Sequence, residues 1–155
     1  MRKTMLTAAL AALLTASPSL AAPPAEGAPA VELAWTKAVL AGDLEAVVAL
    51  YGPDAVLWTI EEKEARGIEA IRASYAALLS ANVIQSVVFS HTGHRTSGSW
   101  SAGWGNFSLT LAPKAGGAAI TMTGRFTEVV EKKNNRWRYV VDHASADPAP
   151  TPSSK

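Results

Sequence analysis

The sequence contains no cysteine, which excludes disulfides, thiolate metal sites, a thiol nucleophile and a lipid-modified cysteine anchor. It also contains no G-x-S-x-G motif, the signature of one large class of serine hydrolases, and no internal repeat. Export normally permits disulfides, so a domain without them depends on its hydrophobic core. The 155 residues, 48% of them hydrophobic, are enough for one domain with a sizeable core.

The chain also lacks a strong charge of either sign. With 14 basic and 13 acidic residues its net charge is +1, which offers no field to attract nucleic acid or anionic lipid. The N-terminal apolar run, residues 5–16, is shorter than the roughly 20 residues of a membrane-spanning helix. We therefore expect no nucleic-acid partner and, once the N-terminal segment is removed, no membrane partner.

The first 21 residues have the form of a secretory signal peptide. Arg2 and Lys3 precede the apolar run, and Ser19-Leu20-Ala21 provides a small-x-small cleavage site. Cleavage after Ala21 removes two basic residues and leaves 12 basic and 13 acidic ones, a net charge of −1. We predict a periplasmic or secreted protein with a signal peptide at 1–21, a Pro/Ala linker at 22–29, one domain at 30–147 and a disordered tail at 148–155.

Hydrophobic periodicity predicts three helices. Apolar residues recur every three or four positions in 30–41 and in 68–81. Asp43 is expected to cap a short helix between them, whose buried face runs from Leu44 to Tyr51 and which Gly52-Pro53 would end. Segments rich in β-branched and aromatic residues predict strands at 55–60, 83–90, 100–111 and twice within 122–145, and polar segments predict loops at 61–66 and 91–99.

This order of elements predicts an α+β fold. Three helices with one strand among them precede four consecutive strands, which favours an antiparallel sheet over a wound parallel one. Gly103 and Gly105 indicate a bulge or bend in their strand. We expect a curved, mostly antiparallel sheet with the helices in its concave face and a pocket between them. Strand 83–90, partly apolar on both faces, is predicted to be central.

The closing hairpin, residues 122–145, carries the densest pattern in the chain. Asn134-Asn135 predicts a two-residue type I′ turn, which makes Lys133 face Arg136. Side chains alternate along the last strand, so its odd-numbered residues are expected to face the core and its even-numbered residues to face outward. The predicted core set of that strand is Trp137, Tyr139, Val141 and His143.

Glu128 and His143 are the candidate catalytic residues. Regular pairing places Phe126 opposite His143 and Glu128 opposite Val141, so Glu128 and His143 become diagonal neighbours on the core face. A buried carboxylate needs a partner, and a histidine provides one that also supports general acid/base chemistry. Asp142 is expected to point outward, which excludes a dyad with His143. In the structural alternative, Glu128 lies in water at the open end of the sheet and His143 is a hydrogen-bonded core residue.

We predict neither a metal site nor a cofactor. His91 and His94 are three residues apart, so on a strand they face opposite sides, and no acidic residue has a helpful ligand spacing. Gly103-Trp104-Gly105 is not a phosphate-binding loop, because no helix follows it and no Lys-Ser/Thr pair closes it.

Three stretches together resemble a known family. Residues 35–56 read WTKAVLAGDLEAVVALYGPDAV, and residues 67–75 read GIEAIRASY. The closing hairpin contributes GRFTEVV at 124–130 and NRWRYVVDHAS at 135–145. In order and spacing they resemble SnoaL-like and ketosteroid-isomerase-like members of the nuclear-transport-factor-2 superfamily, including its calcium/calmodulin-kinase-association-like members. The resemblance covers nearly the whole mature domain.

The resemblance implies a cone-shaped α+β roll that is often a homodimer through its sheet. In ketosteroid isomerases a tyrosine of the first helix and two aspartates do the chemistry, and the matching positions here hold Trp35, Thr59 and, approximately, Phe126. Tryptophan has no hydroxyl and threonine is no base near neutral pH, so isomerase chemistry of that kind is not expected. In kinase-association-like members the position of Glu128 lines the pocket.

The sequence thus predicts a small-molecule-binding domain for an apolar or amphipathic ligand, with Glu128 and His143 as an acid/base pair if the protein is an enzyme. The alternative is a non-catalytic homodimerisation or protein-interaction module with a vestigial pocket. A fold shared by unrelated functions does not choose between them. The predicted pocket lining is Trp35, Leu57, Thr59, Tyr75 and Phe126.

Overall fold

A computed structural model describes residues 25–61 and 63–148 of the chain. The predicted signal peptide lies outside these residues, as does the predicted tail beyond Pro148. Among the described residues no helix is long and apolar enough to cross a membrane. The elements are α1 (Ala28–Ala41), α2 (Leu44–Val48), β1 (Tyr51–Trp58), β2 (Glu64–Arg66), α3 (Ile68–Ala81), β3 (Asn82–Ser97), β4 (Trp100–Pro113), β5 (Ile120–Lys133) and β6 (Arg136–Ala146).

The three predicted helices are present, with changes at their ends. Helix α1 begins at Ala28, two residues earlier than predicted, and the Ser101 hydroxyl of β4 accepts the Ala28 N–H at 3.1 Å. The predicted cap of α2 is confirmed, because the Asp43 carboxylate accepts the Ala46 N–H at 2.9 Å. Helix α3 begins and ends at the predicted residues, Ile68 and Ala81.

Two predictions around the first strand are wrong. Tyr51 and Gly52-Pro53 do not finish a helix but open β1, because Tyr51 pairs with Tyr139 of β6. The predicted loop 61–66 contains β2, whose buried Ala65 pairs with Leu57. One buried alanine among charged residues carries too little periodicity to indicate a strand.

The six strands form one sheet in the order β2-β1-β6-β5-β4-β3. Only β1 and β6 pair in parallel, and all other neighbours are antiparallel. This confirms the predicted α+β class. Strand β3 lies at the edge of the sheet, not at its centre, and it continues to Ser97 through the predicted loop 91–99. The last residues of β3 are polar because most of them are exposed to solvent.

The closing hairpin has the predicted turn but not the predicted register. Asn134 and Asn135 have φ of 50° and 60°, and Lys133 faces Arg136 as expected. Val130 then faces Tyr139, but Val129 faces Val141, so one extra residue is inserted in β6. A β-bulge of this kind reverses the parity of every residue beyond it. The strand partners of β5 past the bulge are Asp142 for Glu128, His143 for Thr127 and Ala144 for Phe126.

The core lies between the helices and one face of the sheet. Ile71 of α3 and Val130 of β5 are fully buried there. The bulges in β3 and β6 and the register shift in β1 bend the sheet around the helices. The helices do not fill the concave face completely, and this leaves a cavity beside Phe126 and Glu128 of β5 and Asp142 of β6.

Candidate functional site

A cavity of about 130 Å³ lies between α1, α3 and the inner face of the sheet. Aromatic and aliphatic side chains make up most of its wall. Two carboxyl groups, those of Glu128 and Asp142, interrupt this apolar lining from neighbouring strands. Because carboxylates are costly in such surroundings, their presence distinguishes this cavity from an ordinary packing defect.

The residues predicted to line a pocket all lie on this wall, together with Glu128. The wall also contains residues that the sequence did not single out. Among them are three further aromatic residues, Trp58, Phe89 and Phe107, and the second carboxyl group. The predicted members of the wall are Trp35, Leu57, Thr59, Tyr75 and Phe126.

Glu128 is buried on the inner face, with only 3% of its surface exposed. Gly103 of β4 lies directly opposite and makes room for it, since a Cβ on Gly103 would lie 2.8 Å from Glu128 Oε1. That oxygen has no hydrogen-bond partner among the described residues. An unpaired buried polar atom beside a cavity is a group that a ligand can satisfy.

His143 does not lie beside Glu128, so the predicted Glu128–His143 pair is wrong in its geometry. The bulge turns His143 to the outer face, where its ring meets Trp58 edge-on at 6.1 Å. Its Nδ1 lies 3.4 Å from the Thr127 hydroxyl. Neither His143 nor Thr127 lines the cavity.

Asp142, which was expected to point outward, occupies the inner face instead. It is the direct cross-strand partner of Glu128, a position that brings the two Cβ atoms to about 5 Å. Its Oδ2 accepts a hydrogen bond of 2.5 Å from the Tyr51 hydroxyl. The inward pair is therefore Glu128 and Asp142.

Burial raises the pKa of both carboxyl groups, but by different amounts. Desolvation raises the pKa of Glu128 to about 10, and the charges of Asp142 and Glu32 act in the same direction. Desolvation raises the pKa of Asp142 only to about 6, because the hydrogen bond from Tyr51 stabilises its charged form. At pH 7 the pair therefore holds one proton, on Glu128, while Asp142 is mostly ionised.

This arrangement can donate a proton from one side of a ligand and accept one from the other. A neutral carboxylic acid in an apolar site is a hydrogen-bond donor and a general acid, and an ionised carboxylate beside it is a general base. Sequence reasoning missed Asp142 because the extra residue, Val140, lies in an apolar Val-Val pair that looks the same with or without a bulge.

Within the described part of the chain, no group of three or more His, Asp or Glu side chains is placed to hold a metal ion. His91 and His94 lie on β3, at the opposite edge of the sheet from β2.

The chain belongs to the SnoaL-like domain family, whose family model matches residues 33–140. A comparison with curated proteins gave no match. Solved structures do match. One is a Xanthomonas campestris protein named provisionally as a calcium/calmodulin dependent protein kinase II association domain, with 28% identity and a TM-score of 0.68 over 83% of this chain and 94% of that one.

Two further solved structures share the fold at lower identity. A ketosteroid isomerase-like protein from Erwinia carotovora atroseptica is 20% identical, with a TM-score of 0.67 over 78% of this chain and 94% of that one. A protein of the nuclear-transport-factor-2-like family from Streptomyces avermitilis, named provisionally as a dehydratase, is 16% identical, with a TM-score of 0.66 over 77% and 93%. These likenesses establish the nuclear-transport-factor-2-like fold and confirm the resemblance found in the sequence.

Proposed function

We propose that this SnoaL-like domain binds a small, largely apolar molecule in its cavity and catalyses proton transfer on it. Glu128 is the general acid and Asp142 the general base. The observation that carries the proposal is the direct pairing of these two residues across β5 and β6 inside an apolar cavity. Neighbouring groups whose surroundings push their pKa values apart are typical of acid/base sites.

The cavity favours a compact ligand. A volume of about 130 Å³ is close to the size of an engineered apolar cavity that holds one benzene ring, about 150 Å³. The aromatic wall suits a ring or short branched chain, and the unpaired Glu128 Oε1 suits one polar atom of the ligand. A strongly anionic ligand is disfavoured, because Asp142 brings its own negative charge.

The chemistry that fits a single shared proton is enolisation of a carbonyl compound. Asp142 removes a proton from the carbon next to the carbonyl, the electron pair of that C–H bond forms the carbon–carbon double bond, and Glu128 protonates the carbonyl oxygen. The enol is neutral, and the proton count of the pair is unchanged. The ligand therefore carries no charge, and the negative charge of the pair moves from Asp142 to Glu128.

Hydrogen–deuterium exchange on cyclohexanone tests this proposal. The protein in D₂O should speed deuterium incorporation at the α-carbons above the buffer rate, as followed by proton NMR. Glu128→Gln and Asp142→Asn should each reduce that rate about 100-fold or more, the usual scale of acid/base catalysis. The control Thr127→Val alters the outer face of the same strand and should keep the full rate.

Two results would contradict the acid/base assignment. If Asp142→Asn still catalyses deuterium exchange, Asp142 is not the general base. If His143→Gln loses as much of the exchange rate as Asp142→Asn does, the general base would be His143 on the outer face. Quenching of tryptophan fluorescence by cyclohexanone reports binding separately from turnover, because Trp35 and Trp58 both line the cavity.

A second function, pairing with another copy of this chain, is supported by the outer face of the sheet. Four large apolar side chains are exposed along β3 and β4, Val83 at 49%, Val88 at 56%, Trp100 at 46% and Trp104 at 40%. Trp104 and Val88 stand among uncharged serine, threonine and asparagine side chains of the same strands. An uncharged patch of this kind is typical of a protein interface.

Light scattering after size exclusion tests the homodimer. Trp104→Arg should turn a dimer into a monomer, because a charge would be buried in the interface. Leu33→Arg is the matched control, since Leu33 is an exposed apolar residue of α1, away from the sheet. If the unaltered chain is a monomer, the homodimer proposal is wrong, but the proposal of acid/base catalysis is unaffected.

We also propose that the mature chain acts in the periplasm or outside the cell. The basic start, apolar run and cleavage site of residues 1–21 support it. The near-neutral charge supports a small molecule, rather than nucleic acid or a lipid surface, as the partner.

A further inference from the structure

Three side chains beside the cavity form a continuous hydrogen-bond chain that ends on Asp142. The Trp35 indole N–H donates to the Tyr75 hydroxyl at 2.8 Å. The Tyr75 and Tyr51 hydroxyls lie 2.7 Å apart, and Tyr51 donates to Asp142 Oδ2 at 2.5 Å. The chain joins α1, α3, β1 and β6.

This chain has one direction. An indole N–H can only donate, so the Tyr75 oxygen accepts from Trp35. Asp142 in its ionised form can only accept, so the single proton of the Tyr51 hydroxyl points toward the carboxylate. The bond between the two tyrosines must then run from Tyr75 to Tyr51. Every donor in the chain is thus aimed, directly or through its neighbour, at Asp142.

The two carboxyl groups differ in this respect. Asp142 accepts the end of a three-member donor chain, whereas Glu128 Oε1 has no partner among the described residues. Chains of hydrogen bonds polarise one another, so the last bond, to a charged acceptor, is the strongest. The negative charge of the pair is therefore more stable on Asp142, and the proton is more stable on Glu128.

We propose that Tyr51 is a positioning residue which, at the end of this chain, stabilises the ionised form of Asp142 and so favours Glu128 as the holder of their shared proton. The proposal rests on the acid/base function proposed above. It names a residue outside the cavity that helps to make Glu128 the acid and Asp142 the base. Trp35 and Tyr75 line the cavity, but Tyr51 does not. Tyr51 therefore acts on a ligand only through Asp142.

The other groups that affect the pair act on Glu128 and not on Asp142. The negative charge of Glu32, on α1, raises the pKa of Glu128, whereas the buried Tyr139 lowers it. Neither group is a donor to Asp142. Among the described residues no cation contributes to the pKa of either carboxyl group. His143, on the outer face, does not contribute either.

Carbon-13 NMR of side-chain carboxyl groups, in protein labelled at Asp and Glu, tests the proposal without any substrate. In Tyr51→Phe the titration midpoint of Asp142 should rise by about one pH unit, because a charge-assisted hydrogen bond is lost. In Tyr75→Phe, which keeps Tyr51 but removes the donor behind it, the rise should be smaller. Tyr139→Phe is the control: it removes a buried hydroxyl whose ring lies 4.8 Å from that of Tyr51, and should leave Asp142 unchanged.

The exchange of cyclohexanone gives a second readout that a purely structural role would not move. In Tyr51→Phe the acidic limb of the pH–rate profile should shift upward by the same amount as the NMR midpoint of Asp142. Near-UV circular dichroism shows whether each variant keeps its aromatic packing. If Tyr51→Phe does not fold, the smaller shift in Tyr75→Phe carries the test.

An unchanged Asp142 midpoint in both folded variants would overturn the proposal, even if the unaltered protein exchanges cyclohexanone normally. Conversely, a protein without exchange activity would contradict the proposed function, while the titrations would still decide whether the chain polarises the pair. The two failures are therefore distinguishable.

Discussion

Replacing Glu128 by glutamine should make the fold more stable, and increasingly so as the pH rises. Burial raises the pKa of Glu128 from 4.5 to about 10, so the folded chain keeps a proton that the unfolded chain releases above pH 4.5. The unfolded state then binds fewer protons, and stability falls with rising pH across this whole window. Glutamine has the same shape but no proton to lose.

The size of the effect follows from the width of that window. Each pH unit between the two pKa values is worth about 1.4 kcal/mol of unfolding free energy. At pH 7, about 2.5 units above the ordinary value, the buried acid costs the fold about 3 kcal/mol. Asp142 adds a loss of the same sign, which accumulates between pH 3.8 and about pH 6 and is complete above that.

Urea unfolding at pH 5, 6, 7 and 8 measures this. The stability advantage of Glu128→Gln over the unaltered chain should grow by about 4 kcal/mol from pH 5 to pH 8. Glu69→Gln is the matched control, because it removes one exposed carboxylate of α3 and should run parallel to the unaltered protein. Parallel curves for Glu128→Gln as well would refute the claim that Glu128 is protonated in the folded state.

Three further outcomes are expected. Gly103→Ala should cost about 1–3 kcal/mol in urea unfolding and slow cyclohexanone exchange, because its Cβ would lie 2.8 Å from Glu128 Oε1 and 3.0 Å from the Ala28 Cβ. Ile71→Ala should cost about 2–5 kcal/mol without changing the pH dependence of stability, because Ile71 is fully buried but carries no charge. N-terminal sequencing of protein from the periplasmic fraction should begin at Ala22, and an intact Met1 would contradict export by cleavage.

Elements with a strong local signal could be predicted from the sequence. Helix α3 has one unbroken apolar stripe and a glycine just before it, and both of its ends were placed correctly. The Asn134-Asn135 turn was equally clear, because two consecutive asparagines tolerate positive φ. Tyr51 was assigned to α2 because it continues the apolar spacing of that helix. In the structure it is the first residue of β1, and its ring packs against Tyr139.

The candidate site was predicted only in part. Glu128 could be placed inside because no bulge separates it from the turn on its own strand. Asp142 could not, because its face depends on one inserted residue, Val140, whose presence is decided by pairing with β1 and β5 and not by local propensity. The hydrogen-bond chain to Asp142 joins residues 24 to 91 positions apart, and no local pattern can reveal such contacts.

In the proposed site, Glu128 and Asp142 share a single proton at neutral pH, and Glu128 holds it. A carbon-13 NMR titration of the side-chain carboxyl groups in the unaltered protein tests it most directly. We expect Asp142 to titrate near pH 6 and Glu128 to stay protonated to about pH 10. A Glu128 carboxyl signal that titrates near 4.5, its ordinary value, would contradict it.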